Sequence, residues 1–174
     1  MLRGNVLILW ILGLLLTGCG ARWTEYRSGP GGYSVDLPGK VEESQSQVPT
    51  PIGTIPFHMA MAESGWWGYA AAYADYPAWA VEKADPKELL NGARRGALSN
   101  VGGKLVKERA IEIEGHPGLE IDFNIPDKKI KARARIYLVK NRLYQVLAGN
   151  LESRYDEKHM NRFLDSFRLR PRLD

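Results

Sequence analysis

The chain has 174 residues, with 24 Lys and Arg against 20 Asp and Glu, a single Cys and an apolar fraction of 44%. That length supports one globular domain with a substantial core, and a formal net charge of +4 is too mild to argue for a nucleic-acid partner. One Cys excludes an intramolecular disulfide and a multi-thiolate metal site.

Residues 1–18 read as an export signal. Arg3 gives a positive start, and Val6 to Leu16 form an apolar run with Gly13 inside it. A helix that crosses the hydrocarbon core needs roughly 20 apolar residues, so this run suits a signal better than an anchor. Leu16-Thr17-Gly18-Cys19 resembles the bacterial lipobox, in which a branched apolar residue and two small residues precede a Cys. The resemblance implies diacylglycerol on Cys19, cleavage before it, and acylation of the new amino group with a chain such as palmitate. Two or more acyl chains anchor stably, at about 0.8 kcal/mol per buried methylene. Residues 19–22 then form a lipidated tether on a bacterial membrane, facing the periplasm or the exterior. With the thiol consumed, a single domain from residue 23 to residue 170 is held by packing alone.

Along that domain, Trp23 to Arg27 reads as a first edge strand and Gly29-Pro30-Gly31-Gly32 as a turn. Tyr33 to Leu37 alternates and stops at Pro38-Gly39, a strand signature. The polar stretch from Val41 through Pro49 and Pro51 to Gly53 reads as a strand end followed by an extended loop. Ile55 to Ala62 and Trp67 to Tyr76 are strands. Asp85-Pro86-Lys87-Glu88 has the spacing of a capping box with Pro at the first helical position, and Gly102-Gly103 stops the helix. Four strands follow at Lys104 to Glu114, Leu119 to Ile125, Lys131 to Val139 and Leu143 to Leu147. Gly115-His116-Pro117-Gly118 joins the first two, and Lys140-Asn141 joins the last two, with Asn141 as the left-handed residue. Links this short make the neighbours antiparallel. Met160, Phe163, Leu164 and Phe167 then recur at helical spacing in a closing helix from Arg154 to Ser166.

Gly32-Tyr33-Ser34-Val35-Asp36-Leu37-Pro38, Gly115-His116-Pro117-Gly118, Arg142-Leu143-Tyr144 and Phe163-Leu164-Asp165-Ser166-Phe167 together resemble the PsbP-like proteins. These include the photosystem II extrinsic proteins and many uncharacterised bacterial lipoproteins. The resemblance runs from Trp23 to Leu169. It implies an α+β fold, an α/β/α sandwich with a mainly antiparallel sheet flanked by helices. It also implies a binding or assembly role instead of catalysis.

A direct search for chemistry agrees with a non-enzymatic role. The sequence has no Gly-x-Ser-x-Gly elbow, no phosphate-cradling Gly-rich loop, no His-Glu-x-x-His and no Cys-x-x-Cys. His58, His116 and His159 lie on separate elements; His159, with Asp156 and Glu157 nearby, is the nearest approach to a metal ligand set. Neither a cofactor nor a metal is expected.

Two constellations stand out. Period-two alternation puts Lys129, Lys131, Arg133 and Arg135 on one strand face. Either they pair with Glu120 and Asp122 on the next strand, or they form a strip for lipid headgroups or an acidic partner. The second constellation is aromatic: Trp66, Trp67, Tyr69, Tyr73 and Trp79 fall in one short segment, as core cover or as an interaction surface. The reading favoured here is a membrane-tethered, non-catalytic interaction or assembly domain of the cell envelope, with an envelope protein or an anionic surface as partner. A small-ligand module built on residues 66–79 is the alternative.

Overall fold

The computed structural model describes residues 22–50 and 53–171. They form two antiparallel sheets and three α-helices. The smaller sheet joins β1 (Trp23–Ser28), β2 (Tyr33–Pro38) and the two-residue β10 (Arg168–Leu169), with β2 in the middle. The larger has seven strands: β3 (Glu42–Thr50), β4 (Gly53–Ser64), β5 (Trp67–Asp75), β6 (Lys104–Ile113), β7 (His116–Ile125), β8 (Ile130–Val139) and β9 (Arg142–Leu151). Their spatial order is β3-β4-β5-β9-β8-β7-β6. Two hairpin runs therefore meet at the β5–β9 ladder, where Tyr73 faces Tyr144 and Tyr69 faces Ala148.

Each face of the large sheet buries its own core. On one face Tyr69, Ala71, Tyr73, Tyr144, Val146 and Ala148 pack under β2 and under α3 (Glu157–Leu164), which contributes Met160, Phe163 and Leu164. On the other, Ile121, Phe123, Ala132, Ala134 and Ile136 pack under α2 (Pro86–Val101), which contributes Leu90 and Ala93. The sheet is thus sandwiched, with the small sheet sharing a layer with α3. Strand alternation produces this arrangement, since neighbouring side chains along β7, β8 and β9 must go to opposite layers.

The helix signals act as their chemistry requires. The Asp85 carboxylate accepts from the Lys87 amide, Pro86 needs no amide partner, and Gly102 closes α2 at φ 65°. Asp156 caps α3 through the Lys158 and His159 amides, so the helix starts later than Arg154, and Glu152–Arg154 is a short 3-10 turn instead. The polar stretch after Val41 is not a loop: β3 is a full nine-residue strand. It lies at a sheet edge and pairs only with β4, where polar side chains and Pro49 disturb nothing. The link between β6 and β7 is shorter than the Gly115 to Gly118 segment. Glu114 (φ 49°) and Gly115 (φ 79°) make the turn, and His116 already belongs to β7. In the last hairpin Lys140, not Asn141, takes the left-handed conformation, at φ 56°. Asn141 instead donates its side-chain amide to the Tyr76 carbonyl at 2.8 Å.

The ladders define two ends of the sheet. At one, here called proximal, lie the β4–β5 turn at Gly65 and Trp66, the β7–β8 connection at residues 126–129, the end of β9 and the start of β6. At the other, distal end lie the turns at Glu114-Gly115 and Lys140-Asn141, followed along the chain from β5 by the five-residue α1 (Ala78–Glu82). Trp23 opens β1 at the proximal end, opposite Pro38 and 5.3 Å from the Tyr69 ring.

Phe163 is fully buried between α3 and the sheet. Phe163→Ala is expected to lower unfolding stability by about 3–5 kcal/mol in urea titrations, the usual effect of truncating a core aromatic.

Candidate functional site

The basic face is built on the β7–β8 ladder, which sets Arg133 opposite Asp122 and Arg135 opposite Glu120. Arg133 donates from Nε and Nη2 to the two oxygens of Asp122 at 2.5 and 3.1 Å. It also donates to Glu157 at 3.0 Å and Asn161 at 2.8 Å, both on α3. Arg135 binds Glu120 and Asp165 at 2.7 Å each, and Arg109 of β6 reaches the other oxygen of Glu120 at 2.8 Å. Burial pushes the Glu120 carboxyl up, but the hydrogen bonds from Arg109 and Arg135 outweigh it and hold the group below the ordinary carboxylate range. Lys131 pairs with Glu152 at 3.2 Å. Lys129 is not in the strand at all; it caps a short turn at φ 52° and is exposed.

The four cations therefore do not make one exposed row. Arg133 lines a mixed-charge cleft of about 300 Å³ whose walls include Arg109, Glu120, Asp122, Glu157 and Asn161, and Arg135 joins the same network through Glu120. Arg133 and Arg135 are matched by Asp122, Glu120, Glu157 and Asp165, and these pairs tie α3 to the sheet. The Arg133 side chain is only 11% exposed, so removing it strands Asp122 beside Glu120. Arg133→Met is expected to lower stability by about 3 kcal/mol in urea titrations; a change within measurement error would mean that this cluster does not hold α3.

The aromatic segment also divides. Tyr69 and Tyr73 are core residues, 3% and 7% exposed, and so cannot line a surface groove. Tyr73 stacks on His58 at 4.7 Å. Trp67 stacks on His159 at 4.6 Å, and His159 Nε2 shares a 2.6 Å hydrogen bond with the Tyr69 hydroxyl. Trp23 closes this cluster with its ring 5.6 Å from His159, and Arg162 lies over Trp23 at 4.4 Å. Trp66 and Trp79 remain as surface residues, 62% and 57% exposed, but at opposite ends of the sheet. Trp66 holds Arg154 over its ring at 5.4 Å. The five aromatics thus do not converge on a single pocket.

His159 gains a packing role that its position in the sequence does not announce. Burial pulls its pKa below the ordinary 6.5, Arg162 adds to the effect and Asp156 opposes it. A His with a depressed folded pKa contributes stability that is present above the unfolded value and lost as pH falls through the folded one. The protein is therefore expected to lose stability as pH falls below the ordinary His value of 6.5 and through the lowered folded value, and His159→Gln is expected to lose less over that fall when melting is followed at each pH.

One interaction was not singled out from the sequence. Arg142 in β9 grips Asp75 of β5 with two bonds of 2.7 and 2.6 Å. Its remaining nitrogen donates to the Pro30 and Gly31 carbonyls at 2.7 and 2.6 Å, and the Tyr144 hydroxyl also donates to Gly31 at 2.8 Å. A Cβ at Gly31 would fall 2.6 Å from the Tyr33 ring, so the turn that presents these carbonyls needs glycine there. The available signal was an Arg opening a strand across from a Gly-Pro-Gly-Gly turn, which sequence spacing alone does not connect. Cys19 lies outside the described residues, and among those residues no helix is long and apolar enough to cross a membrane.

The fold itself has counterparts. The chain superposes on cyanobacterial PsbP (CyanoP) from Synechocystis sp. PCC 6803 with a TM-score of 0.58, covering 88% of this chain and 95% of that one at 10% identity. The architecture is therefore PsbP-like, and at that identity the likeness is one of fold. PA94 from Pseudomonas aeruginosa, a protein of unknown function, aligns over 75% of this chain and 84% of its own at 14% identity, with a TM-score of only 0.38. No protein-family model and no curated protein matches the chain.

Proposed function

We propose that this protein is a bacterial lipoprotein, held to a membrane through acyl chains on Cys19, whose PsbP-like domain acts as a non-catalytic interaction or assembly module of the cell envelope. The observation that carries this reading is the lipobox Leu16-Thr17-Gly18-Cys19, which ends four residues before the first β-strand begins at Trp23. A signal, a lipidation site and a folded domain thus follow one another with almost no spacer.

Two features of the domain support a binding role over a catalytic one. The arginines of the β8 face are committed to ion pairs that brace α3. Its large exposed aromatics sit instead at the two extremities, where a neighbouring surface would meet them. Trp79 on α1 points to a partner at the distal end, the end remote from Trp23.

Lipidation is tested directly. The mature protein is expected to partition into detergent and to yield an N-terminal peptide carrying diacylglycerol and an amide-linked acyl chain. Cys19→Ser is expected to leave unprocessed or soluble protein. An N-terminal peptide without acyl mass in the wild type would defeat the proposal.

A further inference from the structure

Trp23 opens β1 at the proximal end, with its ring against Tyr69 and His159. Only Gly20, Ala21 and Arg22 separate it from Cys19. Even fully extended, the chain from Cys19 to Trp23 spans at most about 14 Å. A ten-residue strand such as β9 is about 33 Å long. A lipid on Cys19 therefore keeps the proximal end of the sheet close to the bilayer, and the tilt of the domain is set by what that end presents.

The residues exposed at that same end are of the kind that bilayer interfaces hold. Of the large apolar side chains that are exposed among the described residues, all but Trp79 are here: Trp66, Val101, Leu105 and Val106, at 62%, 37%, 42% and 63%. Trp66 forms the β4–β5 turn. Val101 ends α2, and Leu105 and Val106 open β6, where a bulge between Leu105 and Lys107 turns Val106 out of the ladder. Four strand spacings separate β5 from β6, so the two apolar groups flank the rim about 19 Å apart.

Cations fill the interval. Arg154 follows β9 and lies over Trp66, Lys128 and Lys129 occupy the β7–β8 connection, and Lys104 starts β6. All four are exposed. Arg22 and Lys131 add to them, and the acidic neighbours are fewer: Glu63, Asp127, Asp156 and the Glu152 that pairs with Lys131. At the distal end the charges cancel: Glu82, Asp85, Glu88, Glu112 and Glu114, with the Glu25 that Arg27 and Arg170 share, stand against Lys83, Lys87, Lys140, Arg27, Arg168 and Arg170. Tryptophan favours the headgroup level of a bilayer, and each Lys or Arg close to an anionic leaflet adds roughly 1 kcal/mol of attraction.

We propose that the proximal rim is a second membrane-binding element: once acyl chains on Cys19 hold the chain, Trp66 and the Val101–Leu105–Val106 group enter the headgroup layer of an anionic bilayer while Lys104, Lys128, Lys129 and Arg154 engage its phosphates. The domain stands upright on the membrane, and the distal end with Trp79 is presented away from it. This rests on the lipoprotein reading.

The test uses the full, acylated protein in vesicles of phosphatidylcholine and phosphatidylglycerol in equal parts. Acylation consumes the thiol of Cys19, so Trp66→Cys, Val106→Cys or Trp79→Cys each supplies a single site for a nitroxide. Mass measurement of the N-terminal peptide establishes the acyl chains first. On vesicles, collision of the labels at 66 and 106 with a water-soluble nickel complex is expected to fall several-fold relative to detergent micelles, while the label at 79 is unchanged. As a check that needs no label, acyl-brominated lipids are expected to quench wild-type fluorescence more than that of Trp66→Phe. The protection at 66 and 106 is expected to be weaker on pure phosphatidylcholine, and equal protection would overturn the assignment of anionic lipid. An acylated protein whose labels at 66 and 106 stay as water-accessible as the one at 79 would overturn the rim alone. Absence of acyl mass would overturn both the rim and the lipoprotein reading.

Discussion

The grip of Arg142 on the turn between β1 and β2 decides how the molecule is put together. The side chain is buried, with 5% of the residue exposed, and every nitrogen that carries a hydrogen toward the interior meets a carboxylate or a carbonyl. A buried guanidinium is tolerated only when its donors are satisfied in a fixed geometry, and its planar fork makes that geometry directional. Asp75 supplies the paired acceptor from β5, and the Pro30 and Gly31 carbonyls supply the rest from the small sheet. The hairpin tip is thereby pinned at the distal end. Because β1 runs antiparallel to β2 over the length of that hairpin, its first residue must emerge at the proximal end. The attachment point of the tether is a consequence of where Arg142 finds its acceptors.

The same logic of satisfaction separates the two groups of cations. Arg133 and Arg135 sit on a half-covered face, where an unpaired charge would be costly, and they are matched by Asp122, Glu120, Glu157 and Asp165. Their attraction is spent inside the fold, holding the N-terminal part of α3 and the residue after its C-terminal end against β8. The lysines of the proximal rim are solvated and carry no such obligation. Exposed charges of that kind act over about 10 Å at moderate salt, which suits a surface met at close range.

Much of the fold was legible because burial imposes period. Met160, Phe163 and Leu164 could be assigned to one helical face, and the alternation of Ala132, Ala134 and Ile136 with Arg133 and Arg135 to two sheet faces, without knowing what covered them. Asp85 and Gly102 announced the limits of α2. What escaped was set by context. A polar strand such as β3 has no periodic signal, since an edge strand exposed on both sides has no reason to alternate. The two-residue β10, which pairs with β2, and the five-residue α1 are too short to carry a period. The aromatic segment was recognised as a unit but not as a divided one. Tyr69 and Tyr73 share a strand face and go to the core, whereas Trp66 is thrown out by the turn. The choice between pairing and free display for Lys129 to Arg135 required the register, because a shift of one residue in β7 would have moved both Glu120 and Asp122 to the opposite face.

The central claim is that the tether, the apolar rim and the solvated lysines share one end of the sheet and meet one surface there. Hydrogen exchange of the acylated protein, compared between anionic vesicles and detergent micelles, tests this most directly without altering a residue. Amides in the β4–β5 turn, in residues 101–106 and in residues 126–131 should slow on vesicles. Those of the Glu114-Gly115 turn and of α1 should exchange equally in both. Slowing confined to the distal turns, or spread evenly over the domain, would contradict the account.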